Sequence, residues 1–387
     1  MHRERLTILF SGMIAGDPHH GGATWAVLQY LLGLRELGHD VWFIEPIRKA
    51  GVLPAMSGLA QSENANYFRD VCSAYGLSDR AAIVLEGTRQ TVGVAHSALV
   101  DVASRADLLI NVSGMLTDPL LIEPIPVRAY LDLDPAFVQC WHAQGIDMRF
   151  GAHTHFVTVG RNIGQASCPV PTCGRQWITT AQPVVLSAWP VAAGPPNIAG
   201  LTTIANWRGY GSVMHQGCFY GQKAHSIRKF IDLPTRTTER IMPAIAIHPG
   251  ETQDLAALHD HGWHLLDPSV VASTPQAYQR FITDSKAELG IAKSGYVESR
   301  CGWFSDRSIC YLASGRPVIA QDTAFSAWLP AGSGVFAFSD MDTLLSAIDS
   351  MNSGYRNHCD AARELANSYF DSRRVLSRLL QALGAAL

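Results

Sequence analysis

Two stretches of this chain carry residue types that could do chemistry, GDPHHGG (16–22) and FSDRS (304–308). In the first, Asp17, His19 and His20 are candidates for acid–base work, because histidine takes up a proton near neutral pH and a nearby carboxylate stabilises the charged ring. One of the histidines would alternatively contact a ligand or only cap a helix. Gly21 and Gly22 follow where a helix should begin. Free backbone N–H groups and the positive end of the helix dipole favour an anion there, and the missing side chains permit close approach. Turn geometry explains a glycine pair about as well, and no Gly-x-Gly-x-x-Gly is present. In the second stretch Ser305 or Asp306 suits an N-cap, and Arg307 in the first turn of the helix, followed by Ser308, suits a phosphate group.

These residues need elements to hold them. Short apolar or β-branched runs, each followed by a turn and a helical pattern, recur along the chain: LTILF (6–10), VWFI (41–44), LLINV (108–112), VRAYLDL (127–133) and HFVTV (155–159), then TTIAN (202–206), AIAI (244–247), HLL (264–266), GIA (290–292), PVIA (317–320) and GVFAF (334–338). That order is the signature of parallel α/β architecture. The run ATWAVLQYLLGLRELG places Val27, Leu28, Leu31 and Leu34 on one helical face and ends at Gly38, a C-terminal glycine. Prolines and glycines in QPVVLSAWPVAAGPPNIAG (182–200) suit a linker. The spacing therefore predicts two open α/β domains, residues 1–190 and 191–370, facing each other across a cleft, with helices at the C-terminus.

Composition narrows the partners. The 387 residues are 47% hydrophobic and 16% charged with a net charge of -3, which gives no general pull toward nucleic acid or an anionic membrane. The basic, apolar start reads as a first buried strand rather than a signal peptide, since Gly12, Gly16 and Asp17 interrupt it, and no stretch reaches transmembrane length. Eight dispersed cysteines read as reduced thiols of a cytoplasmic protein. Cys168 and Cys173 fit no standard zinc spacing even with His153 and His155 upstream, and the two histidines are read as structural.

YLASGRPVIA (311–320) resembles the helix-to-strand junction in the nucleotide-binding domain of GT-B fold glycosyltransferases, and CGWFS (301–305) is similar to part of the donor signature of plant-type members. Gly22 followed by GHDV at Gly38 is similar to the Gly-Gly loop and helix end of related transferases. The whole chain resembles a group of bacterial proteins described as glycosyltransferases. The resemblance implies two Rossmann-like domains, the first (1–190) for the acceptor and the second (191–370) for a nucleotide-diphosphate sugar, with a terminal helix (371–387) packing back on the first. It implies sugar transfer to a small-molecule or glycan acceptor, without metal or cofactor beyond the nucleotide-sugar co-substrate. Carried over, Ser305, Asp306, Arg307 and Ser308 meet the diphosphate or ribose, Gln321 and Asp322 the sugar hydroxyls, Arg208 and Lys223 the phosphates, and Gly21 and Gly22 close over the donor. Asp17, His19 and His20 face the acceptor.

Two departures matter. The paired glutamates of many retaining relatives fall here on Gly302 and Cys310, and the phosphate-binding histidine of the plant-type signature falls on Arg300. Lys223 is equally readable as a solvated helix residue, and Trp207, Tyr210 and Trp303 as core aromatics rather than stacking platforms. Asp132 and Asp134, in DLD, are read as a strand end and turn rather than a metal motif. Alternative functions are epimerisation or hydrolysis of a nucleotide sugar, or non-catalytic binding of one.

Overall fold

The computed structural model describes residues 5–385. Fifteen strands form three sheets. The first sheet holds β1 (Thr7–Ser11), β2 (Asp40–Ile47), β3 (Ala81–Leu85), β4 (Thr91–Gly93), β5 (Leu108–Val112), β6 (Val127–Asp132), β7 (His155–Thr158) and β8 (Trp177–Thr179). Its order is β4-β3-β2-β1-β5-β6-β7-β8, parallel except for β3 against β4. The second domain starts with β9 (Ile198–Asn206) and carries a small antiparallel hairpin, β10 (Val213–His215) and β11 (Cys218–Tyr220). Its sheet adds β12 (Ile241–Ala246), β13 (Ser285–Gly290), β14 (Val318–Gln321) and β15 (Val335–Phe338) in the parallel order β12-β9-β13-β14-β15. Both are doubly wound Rossmann-like sheets, and the chain reverses direction across each sheet at one place, between β1 and β5 and between β9 and β13. Ligands of such sheets bind outside the carboxyl ends of the strands at those reversals.

Two expected strands differ. The run GIA marks the end of a strand rather than its body: β13 is SKAELG, whose Lys286 and Glu288 hide it from an apolar search. HLL forms only a single bridge from Leu266 to Ala244, because Asp267 and Pro268 at once begin the next helix, with Asp267 accepting from the Ser269 N–H as N-cap.

The helix Gly21–Glu36 is buried on more than the expected face, with Thr24, Trp25, Gln29 and Tyr30 enclosed as well as Val27, Leu28, Leu31 and Leu34. The cause is that three neighbours surround it: the first sheet, the helix Pro275–Asp284 of the second domain, and the terminal helix Ser372–Ala382. The chain crosses between domains twice, and the crossings meet. Val184 donates to Phe370 and accepts from Ser372, so the segment leaving the first domain is bonded to the one returning to it.

Gly33 sets the depth of the terminal helix. A Cβ there would lie 2.6 Å from Leu376 Cδ1 and 2.8 Å from Ser372 Cβ. Overpacking of this kind costs roughly 1–3 kcal/mol. Gly33→Val is expected to lower the unfolding free energy measured in urea by that margin, and an unchanged value would show that the terminal helix does not depend on this contact.

Candidate active site

The loop after β1 is held from below by Glu45 on β2. Its buried carboxylate accepts the backbone N–H groups of Ile14 (3.0 Å), Ala15 (2.9 Å) and Gly16. Burial pushes its pKa up to about 7, against those three N–H groups, which favour the anion. The chain then surfaces at Asp17–His20. His20 Nε2 lies 3.5 Å from Asp17 Oδ2, both side chains being about half exposed, and no side-chain hydrogen bond caps the helix that follows. His19 turns away in a left-handed conformation (φ 65°), with Nε2 2.9 Å from Glu63 Oε1 and its ring against Tyr67. The histidines therefore divide: His20 pairs with Asp17, whereas His19 ties the loop to the helix Glu63–Ala74.

Gly21 and Gly22 begin the helix, and the backbone that approaches them is the second domain's own. Gly21 donates to the Ala272 carbonyl at 2.8 Å. A Cβ on Gly21 would come within 2.2 Å of the Thr274 oxygen, and one on Gly22 within 2.8 Å of the Tyr278 ring. Beside them Trp25 Nε1 donates to the Pro275 carbonyl.

In the second domain Ser305 is the N-cap of the helix Asp306–Ala313, its hydroxyl accepting from the Arg307 N–H. Asp306 and Ser308 fill out the first turn; burial raises the Asp306 pKa, with Arg307 opposing, and Ser308 is buried. Arg307 is turned inward, where its Nε lies 2.6 Å from Glu288 Oε1 and its Nη1 donates to the Ile204 carbonyl. Glu288 is fully buried and Arg307 leaves 11% of its side chain exposed. Lys223, at the start of the helix Lys223–Ile227, is buried too and donates to the Ile291 carbonyl. Burial, reinforced by Arg307 and Lys293, drives its pKa well below the usual lysine range, with Glu288 pulling the other way. Among the described residues Lys223 has no ion-pair partner.

Of the remaining expected residues, Arg208 is held at the surface by Glu251. Gln321 Oε1 accepts the Ala292 N–H, and Asp322 is bonded to Ser326. Cys310 is buried against Gln29 of the first domain, with its own thiol directed at the Asp306 carbonyl.

Sequence reasoning missed a cluster that joins the domains. Asp134 accepts from Lys293 Nζ (3.1 Å), Tyr210 Oη and Tyr296 Oη (2.6 Å). Lys293 lies just beyond β13 and stands 3.9 Å from the centre of the Tyr210 ring. Burial raises the Asp134 pKa, but Lys293 and the two hydroxyls more than offset it and hold the carboxyl below its usual range. The DLD signal divides accordingly. Asp132 is the buried last residue of β6, accepting from Gln139, Thr158 and the Asp134 N–H, and Asp134 reaches across to the second domain. Among the described residues no group of three or more His, Cys, Asp or Glu is arranged to hold a metal ion, and His153 is bonded to Asn111 and the Arg149 carbonyl.

The arrangement thus sets Lys223, Arg307 and Lys293 about the carboxyl ends of β9 and β13, with Arg307 answered by Glu288, Lys293 by Asp134, and Lys223 by a carbonyl alone.

No protein-family model matches the chain, and no curated protein matches it by sequence. Solved structures do. HepE of Anabaena in complex with UDP and glucose superposes with a TM-score of 0.59 at 11% identity, covering 98% of this chain and all of that one. An α-glucosyltransferase in complex with UDP-glucose and DNA containing an abasic site superposes with a TM-score of 0.59 at 10% identity, over 97% and 98% of the two chains. The chain has the GT-B fold, with two Rossmann-like domains.

Removing one member of a buried ion pair leaves the other unanswered and costs about 3–5 kcal/mol, whereas replacing both with apolar residues is often neutral. Glu288→Leu is expected to destabilise by that amount in urea unfolding, and Glu288→Leu with Arg307→Met to recover most of it. A double variant as unstable as the single one would show that Arg307 is not held chiefly by Glu288.

Proposed function

We propose that the protein is a glycosyltransferase that uses a UDP-sugar donor, bound by the second domain, and an acceptor bound by the first. The observation that carries this reading is the grouping of the basic residues Lys223, Arg307 and Lys293 where the second sheet reverses, in a fold whose solved neighbours hold UDP or UDP-glucose. Lys223 and Lys293 bind the diphosphate in this reading. Arg307, engaged with Glu288, keeps Lys223 electrostatically poised for an anion, and Ser305 and Asp306 lie at the edge of the same site.

The acceptor hydroxyl oxygen forms a bond to the anomeric carbon as the bond from that carbon to the diphosphate breaks. The bonding electron pair leaves with UDP, whose growing negative charge the lysines stabilise. The hydroxyl proton passes to His20, and Asp17 stabilises the imidazolium that results. The charge stabilisation that a metal provides in other transferases is assigned here to side chains of the chain itself.

UDP at about 100 times its dissociation constant is expected to stabilise the folded protein by roughly 2.7 kcal/mol. Lys223→Met is expected to weaken UDP at least about tenfold, as loss of a charged hydrogen bond would. No thermal shift with UDP would remove the donor assignment. His20→Ala is expected to retain the UDP shift and lose roughly 100-fold or more in turnover; unchanged turnover would show that another group takes the proton.

A further inference from the structure

The first domain holds a cavity of about 600 Å³ outside the carboxyl ends of β1, β2 and β5. Its wall includes Met13 and Gly16, and Asp17 follows Gly16 in the chain. A second space of about 350 Å³ lies alongside and shares Pro46 and Glu86 as lining residues.

Charge on this wall is uneven. Arg48 is answered by Glu86 at 3.3 Å. Arg149 is not: its Nη1 donates only to the carbonyls of Gly114 (3.2 Å) and Met115 (3.4 Å), and it forms no ion pair among the described residues. The Asp147 carboxylate, which also lines the cavity, accepts the Arg149 backbone N–H at 2.7 Å and keeps its charge, but it forms no ion pair with the Arg149 guanidinium among the described residues. Carbonyls orient a guanidinium without cancelling its charge, and a part-buried cation so placed favours an anionic ligand. The backbone is specialised at the same wall. Ser113 (φ 51°) and Arg149 (φ 61°) both adopt the left-handed conformation, which non-glycine residues keep only where the surroundings impose it. The rest of the surface is soft and apolar, with Met13, Met115 and Met148 all lining it.

We propose that this cavity takes an acceptor with an anionic group, phosphate or carboxylate, on an apolar body, and that Arg149 binds the anion. The proposal rests on the reading of the protein as a glycosyltransferase and adds the class of its acceptor. The methionines cover the apolar part, and the hydroxyl to be modified lies toward Asp17 and His20.

Binding of three probes by titration calorimetry tests it: hexyl phosphate, hexyl glucuronide and the neutral hexyl glucoside. At least one anionic probe is expected to bind the full-length protein ten times more tightly than the glucoside, and whichever binds better identifies the anion as phosphate or carboxylate. Arg149→Met is expected to abolish the preference and Arg149→Lys to keep part of it, both with the UDP thermal shift intact as proof of folding. Equal binding of all three probes, or a preference that survives Arg149→Met, overturns the proposal. A preserved anionic preference in a wild-type protein that UDP fails to stabilise would uphold the cavity's selectivity and overturn the donor assignment instead.

Discussion

A carboxylate in the middle of a buried parallel sheet has to be answered by close polar partners, and the answer to Glu288 organises the second domain. β13 lies between β9 and β14, with Glu288 opposite Thr202 and Val318, out of reach of water. Taking such a charge out of water costs several kcal/mol, which only a close partner offsets. Arg307 supplies that partner and also binds the Ile204 carbonyl, so one guanidinium ties the start of the helix Asp306–Ala313 to both strands at the reversal of the sheet. The second Glu288 oxygen has no hydrogen-bond partner. Lys223, nearby, has a carbonyl for a partner and no carboxylate. Burial first, and then the nearby Arg307 and Lys293, depress its pKa, with Glu288 opposing.

In the first domain Glu45 meets the same problem of a buried carboxylate, with backbone instead of a cation. Three N–H groups of one loop point at it, and the loop is bent around it. Fixing that loop from beneath leaves Asp17 and His20 at the surface on a rigid base. His19 absorbs the turn in a left-handed conformation and is anchored to Glu63. The loop is thus held at two points, and the acid–imidazole pair lies between them.

How much of this was legible in the sequence follows from what signals a sequence carries. Most strands were readable because fully buried parallel strands are written as apolar runs. β13 was not, since its Lys286 and Glu288 find partners only in the folded chain, in Glu239 and Arg307. The N-cap at Ser305 and the C-terminal turn at Gly38 were local signals and stand where the pattern put them. Arg307 was visible as a cation at a helix start, but its inward direction depends on Glu288, nineteen positions earlier. Arg208 had a suitable position after β9 and is held by Glu251, forty-three positions later. Asp134 illustrates the general limit. A turn aspartate has a local reading that is sufficient in sequence, and its partners Tyr210, Lys293 and Tyr296 belong to the other domain.

Those partners give the interface a chemical as well as a steric side. The glycine pair fixes how closely the domains approach, because a Cβ at Gly21 would meet the Thr274 carbonyl. The Asp134 cluster fixes what they exchange. All three N–H groups of Lys293 are directed at Asp134, Tyr210 and Tyr296. An anion that reaches Lys293 must displace one of them, and the acceptor of its charge is Asp134 on the first domain. Binding at the second domain and contact between the domains therefore draw on the same ammonium group. Any free energy by which a ligand loosens Asp134 is, by linkage, free energy by which Asp134 weakens that ligand.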